Sequence, residues 1–187
     1  MISATSFAKN GSATLSIRRA KISDLEVLCG LGKQTFAETF ADTNTPENLT
    51  AYLDEAFHPD RLAAELAEPN SYFFLAMVNQ CPVGYCKVNL GPAQTEPMGS
   101  DWAELQRLYI LGSAKGQGIG SRFLRVAEDL VSAQNISKIW LGVWEHNYKA
   151  QQFYGRHGYH RRSAHTFMVG DDPQTDLILE KHISIES

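Results

Sequence analysis

Glu104-Leu-Gln-Arg-Leu-Tyr-Ile110, then Leu111-Gly-Ser-Ala-Lys115-Gly-Gln-Gly118-Ile-Gly120, then a run opening at Ser121 reads as strand, glycine-rich loop and helix. The helix follows from Ile119, Phe123, Val126, Ala127 and Leu130, which share one face at helical spacing. The glycines let the backbone turn tightly and approach a ligand closely. The helix start leaves amide N–H groups without partners. Together, Lys115, Gly116, Gln117, Gly118, Ile119, Gly120 and Ser121 predict an anion cradle of the size a diphosphate needs. A nucleotide P-loop would need Gly-Lys followed by Ser or Thr, and a dinucleotide fingerprint would read GxGxxG; neither is present. The loop also lies late in the chain, after an antiparallel hairpin, where an early βαβ unit is not expected. An ordinary glycine-rich connection is the alternative for the loop alone.

Outward from this unit, Leu15 to Ala20 alternates as a strand. Ser23, three residues before Glu26, has the spacing of a capping box, and a helix carrying Leu25, Leu28, Cys29, Phe36 and Phe40 on one face follows. Gly30 and Gly32 should loosen its middle. Thr45-Pro46 opens a second helix running towards Phe57, and Pro59 opens a third. Tyr72–Val78 and Pro82–Leu90 read as a hairpin about Asn79-Gln80. Lys138–Trp144 is a strand, Asn147 to His157 a helix with Ala150, Phe153, Tyr154 and His157 on one face, and Tyr159–Val169 and Asp176–Ile183 are two last strands around Gly-Asp-Asp-Pro. This predicts one domain over 14–187 behind a flexible extension, 1–13.

The chain has 187 residues, 43% of them hydrophobic, which suits a single core without staples. Its formal charge of −4 argues against nucleic acid as the main partner. No run approaches the ~20 apolar residues of a membrane span, and the first residues hold no signal-like apolar stretch. The three cysteines show no zinc spacing and none of the six histidines sits in a metal motif, so no metal is expected. Reduced thiols in a cytoplasmic protein are the simplest reading.

Lys115-x-x-Gly118-x-Gly120 resembles the diphosphate-binding motif of the GCN5-related N-acetyltransferases, Q/R-x-x-G-x-G/A, with Lys in the first place. Asn147-x-x-Ala150-x-x-Phe153-Tyr154, then Gly158-Tyr159, resembles the later signature of the same family. Further blocks resemble the bacterial spermidine/spermine N-acetyltransferases of the PaiA type: Pro46-Glu-Asn with Ala51-Tyr-Leu, Gly84-Tyr-x-Lys-Val-Asn89, Trp140-Leu-Gly-Val-Trp-Glu-x-Asn147, and Ala164-His-x-Phe with Gln174-Thr-Asp176. Gln106 departs from that type, which carries Glu there. The resemblance implies an α/β (α+β) domain with a mixed central sheet of about seven strands flanked by helices. It implies acetyl-CoA as donor, with its arm along the main chain of Leu108, Tyr109 and Ile110, beside Asn147 and Ala150. A β-bulge in that strand would aim an N–H at the thioester oxygen, and Tyr154 would protonate the departing sulfur.

The acceptor implied is a small primary amine, most simply a polyamine, in direct transfer within a ternary complex. A polyamine nitrogen titrates near a lysine, about 10, so it must shed a proton before attack. Glu104, taken to share a face with Gln106, Leu108 and Ile110, is the candidate acceptor of that proton, with Glu145 the alternative. Phe36, Phe40, Asp42 and His165 are candidate linings of the amine pocket. Protein N-terminal or lysine acetylation, a non-catalytic acetyl-CoA sensor, and a homodimer all remain open at this stage.

Overall fold

The computed structural model describes residues 14–42, 44–169 and 172–185, so the expected extension over 1–13 lies outside the described residues. One sheet carries all seven strands: β1 (Leu15–Arg19), β2 (Ser71–Val78), β3 (Cys81–Leu90), β4 (Trp102–Ile110), β5 (Lys138–Trp144), β6 (His160–Val169) and β7 (Asp172–His182). Their order is β1-β2-β3-β4-β5-β7-β6. Every pair is antiparallel except β4·β5.

Helices cover both faces. On one side α1 (Leu25–Phe40), α2 (Pro46–Ala56) and α3 (Pro59–Ala67) enclose Leu28, Phe36, Phe57 and Leu62 against Phe73, Leu75 and Tyr85. On the other, α4 (Ile119–Ala133) and α5 (Tyr148–Arg156) pack Ile119, Phe123, Ala127 and Tyr154 on Val88, Leu105, Ile139 and Leu141. Gly32, expected to loosen α1, is where the helix receives Phe57: a Cβ there would lie 2.3 Å from the ring. Thr45 caps α2 as its sequence suggests, its hydroxyl accepting from the Asn48 N–H at 3.3 Å.

Two boundaries depart clearly from expectation. The Ser23–Glu26 box does not form. Asp24 instead accepts from the Lys21 N–H at 2.8 Å and from both terminal guanidinium nitrogens of Arg18, so a short 3₁₀ turn precedes α1. The charge-assisted pair outcompetes a serine hydroxyl. Second, β7 starts at Asp172, not Asp176, because Val169 pairs with Asp172 and the ladder continues through Pro173. β4 carries the bulge that the resemblance implies. Val88 pairs with Leu105 and Lys87 with Arg107, leaving Gln106 as the extra residue.

Candidate active site

The bulge sets the site. A strand that gains one residue changes the side to which everything beyond it points. Glu104 pairs with Asn89 and Arg107 with Lys87, all on the face covered by α1–α3, whereas Leu108 and Ile110 pack on the α4 side. The expected common face of Glu104, Leu108 and Ile110 is therefore wrong; Glu104 shares its side with Arg107 and Tyr109.

Just there the sheet opens. β4 and β5 pair only at Trp102↔Lys138, Ala103↔Ile139 and Glu104↔Trp140, although both strands run on. Beyond Glu104 they diverge as a fork. The carbonyls of Trp144 and Glu145 accept from the Gln151 side chain at 3.2 and 2.7 Å, and that of Trp144 also from the Asn147 N–H. Those carbonyls are thus engaged within the β5–α5 connection. On the β4 arm, Leu111 N–H donates to Val83 O, and Tyr109 O lies 2.5 Å from where a Gly84 Cβ would stand. By strand alternation the main-chain groups of Leu108 and Ile110 face the fork, and those of Tyr109 face β3. The main chain of Tyr109, expected to hold the donor's arm, is turned away from it.

At the mouth of the fork, Gly118 ends the loop with φ +77° and α4 begins without a side-chain cap. The N–H groups of Ile119, Gly120 and Ser121 precede the first helical donor, since Arg122 N–H is the one that reaches Gly118 O. Ala114 and Ile119 are buried, anchoring the turn, while Lys115, Gly116, Gln117 and Gly118 are exposed. Nothing within 4 Å would meet a Cβ on Gly116 or Gly118, so the cradle is open. Free amides, an open turn and an exposed lysine fit a diphosphate. Ser121 is held from α5: its hydroxyl donates to His157 Nε2 at 2.9 Å, whose Nδ1–H donates to Phe153 O at 2.8 Å.

Tyr154, 8% exposed, lies in the core that lines the fork from the α5 side, next to Phe153 and Tyr159. Burial raises its pKa, with Tyr109 and Cys86 adding to the effect, so the phenol keeps its proton. Asn147 acts as the cap of α5, its Oδ1 accepting from Ala150 N–H at 3.1 Å.

Glu104 is 3% exposed at the apex of the fork. Its oxygens accept from Asn89 Nδ2 at 3.0 Å, from Thr95 N–H at 2.8 Å and from the Thr95 hydroxyl at 2.5 Å. Burial raises its pKa against the pull of those donors. Asn89 also donates to Gln106 Oε1 at 3.0 Å, tying the bulge to the same knot. Glu145 lies half-buried just past β5.

Of the expected pocket residues, Phe36 is 1% exposed and serves as core, stacked on Phe40 and Tyr52 at 4.4 Å each. Phe40 is half-buried and meets Trp144 at 5.6 Å. His165 pairs with Glu96 at 2.9 Å. Asp42 is exposed after α1. Asp176, named in the sequence only within the tail block, was not among the expected site residues. It is half-buried on β7, opposite Trp144 and His165, and burial raises its pKa to about 6, with His165 opposing. Its signal was the register of three strands, which local pattern does not carry.

A sheet split between two parallel strands, with an amide cradle at the mouth of the split, defines an acyltransferase architecture. The chain belongs to the Acetyltransferase (GNAT) family, whose model matches residues 34–159, and it is an acetyl-CoA-dependent N-acetyltransferase. It is 37% identical to an uncharacterized N-acetyltransferase encoded in the pepI 3' region of Lactobacillus delbrueckii subsp. lactis, over 84% of this chain and 91% of that one. A spermidine N(1)-acetyltransferase of Thermoplasma acidophilum is 24% identical over 90% of this chain and 97% of its own. The crystal structure of a PaiA N-acetyltransferase from Thermoplasma acidophilum in complex with coenzyme A superimposes with a TM-score of 0.76 at 22% identity, covering 90% of this chain and 99% of that one. Among the described residues no helix is long and apolar enough to cross a membrane, and no group of His, Cys, Asp or Glu could hold a metal ion.

Proposed function

We propose that the chain acetylates a primary amine of a polyamine such as spermidine, by direct transfer from acetyl-CoA in a ternary complex within the cytoplasm. The observation that carries the reading is the aromatic and acidic bay beside the fork, where Phe40 meets Trp144 and His165 is held by Glu96. Aromatic faces and carboxylates suit a long aliphatic polycation. The similarity to a spermidine acetyltransferase supports the same acceptor.

In this reading the donor's diphosphate rests on the amides of Ile119–Ser121 and its arm runs along Leu108 and Ile110. The deprotonated amine attacks the thioester carbonyl; the C–N bond forms and the C–S bond breaks. Tyr154 gives its proton to the sulfur and recovers one from the nitrogen as the amide forms. Glu104, its oxygens engaged by Thr95 and Asn89, acts as a positioning residue that fixes the 91–101 loop at the apex.

The test is thiol release from acetyl-CoA with spermidine, with peptides bearing free N-termini, and with lysine peptides. Spermidine should give the highest kcat/KM. Release with peptides alone would move the activity to proteins. Tight acetyl-CoA binding without release for any amine would leave a sensor.

A further inference from the structure

We infer that Asp176 receives the cationic nitrogen of the acceptor and takes its proton, in a bay walled by Phe40, Tyr52, Tyr109 and Trp144. The inference rests on the amine-transfer reading above and assigns it a residue.

Position comes first. Asp176 lies opposite Trp144 across β5·β7 and opposite His165 across β6·β7. Beside it β5 carries Gly142, which is exposed. A methyl group on Gly142 would stand 3.1 Å from Asp176 Oδ2 and 3.7 Å from His165 Nε2, so both side chains overhang one backbone position left bare by glycine. The carboxylate also acts electrostatically on the hydroxyls of Tyr52 on α2 and Tyr109 on β4. Four elements therefore converge on it.

Charge comes second. Among the described residues none donates a hydrogen bond to the Asp176 carboxylate. Among the described residues the titratable groups facing it are Tyr52, Tyr109 and His165. Only the imidazole can carry positive charge, and Glu96 already balances it at 2.9 Å. Arg107, the cation on the same face of β4, is bound through both terminal nitrogens to Glu65, at 2.7 and 3.1 Å. A half-buried carboxylate among aromatic rings thus lacks a cation, and an alkylammonium supplies one.

Chemistry comes third. The ammonium passes one proton to an Asp176 oxygen, and the freed nitrogen lone pair attacks the carbonyl carbon. A carboxyl group titrating near 6 is ionised at neutral pH yet is a stronger base than an ordinary aspartate. Glu104 differs in already accepting three hydrogen bonds.

Asp176→Asn tests this with two readouts on the full chain. In the first, spermidine is titrated into protein saturated with CoA and followed by tryptophan fluorescence. In the second, kcat/KM for spermidine is measured from pH 5 to 9. The variant should hold acetyl-CoA as the wild type does, bind spermidine at least 30-fold more weakly, lose at least 100-fold in kcat/KM, and lose the acid limb that the wild type shows near pH 6. Unchanged spermidine affinity, or a surviving acid limb, overturns the inference, as does a wild type that does not bind spermidine. Should Asp176→Asn fail to hold acetyl-CoA, Asp176→Ser is read by the same criteria. A wild type that binds spermidine through Asp176 but releases no thiol would refute the transfer reading and leave the cation site standing.

Discussion

At the scale of single residues, burial raises the pKa of two groups in the site. Tyr154 is a phenol buried among aromatic rings. Replacing it with Phe removes one oxygen from a packed position and leaves the shape, so the fold should be unaffected. The expected result of Tyr154→Phe is a fall in kcat of about 100-fold, at the lower end of general-acid effects, with acetyl-CoA affinity within about twofold of wild type. Pre-steady-state thiol release and calorimetry separate the two. Asp176 predicts a stability effect of definite sign. Its folded pKa of about 6 stands above the ordinary value of 3.8, so the folded state binds the proton more tightly than the unfolded one. Wild-type stability from this group is fully present below about pH 4 and is lost as pH rises through 6. Asp176→Asn should therefore match the wild type near pH 3.5 and exceed it at pH 8 by about 1–2 kcal/mol, allowing for partial exposure. Urea titrations at the two pH values measure the gap; a variant less stable at pH 8 would contradict it.

Among elements, the junction of α4 and α5 is the most exacting. Gly118 has φ +77°, which a β-branched residue resists, yet a Cβ there meets nothing within 4 Å. Gly118→Val should thus weaken acetyl-CoA binding at least tenfold through backbone strain at the cradle, and lower Tm by a few degrees. Gly120 behaves differently. A Cβ there would lie 2.9 Å from Phe153, whose ring meets that of His157 at a tilt, 4.6 Å between centroids. Gly120→Ala should push α5 outward and cost about 1–3 kcal/mol, measurable by denaturant unfolding. The elements themselves were legible: helical spacing, Thr45-Pro46 at a helix start and the glycine loop each found their place, and Asn79 and Gln80, at φ 50° and 67°, form the tight hairpin turn expected. The family resemblance implied a bulge in β4, but its place at Gln106 was not legible, because an inserted residue leaves no mark on alternation and only pairing with β3 reveals it. That one slip assigned Glu104 to the wrong side. Asp176 escaped notice as a site residue for a related reason. In Thr-Asp-Leu-Ile-Leu it reads as the outward residue of a strand, and becomes part of a site only when β5 and β6 bring Trp144 and His165 against it.

For the whole molecule, the two cores lie on opposite faces of one sheet, and the fork passes between them. Ligand bound there touches the folded state only. Acetyl-CoA at 100 times its Kd should stabilise the chain by about 2.7 kcal/mol, raising Tm by roughly 5–11 °C for a domain of this size. A thermal shift under about 2 °C at that saturation would place the donor elsewhere. The fork has a further consequence. Past Glu104, β4 has no β5 partner for the main-chain groups it turns away from β3, so unpaired strand groups stand in the middle of the sheet instead of at its rim. Amide protons of Leu108 and Ile110 should exchange rapidly until the pantetheine arm closes the gap.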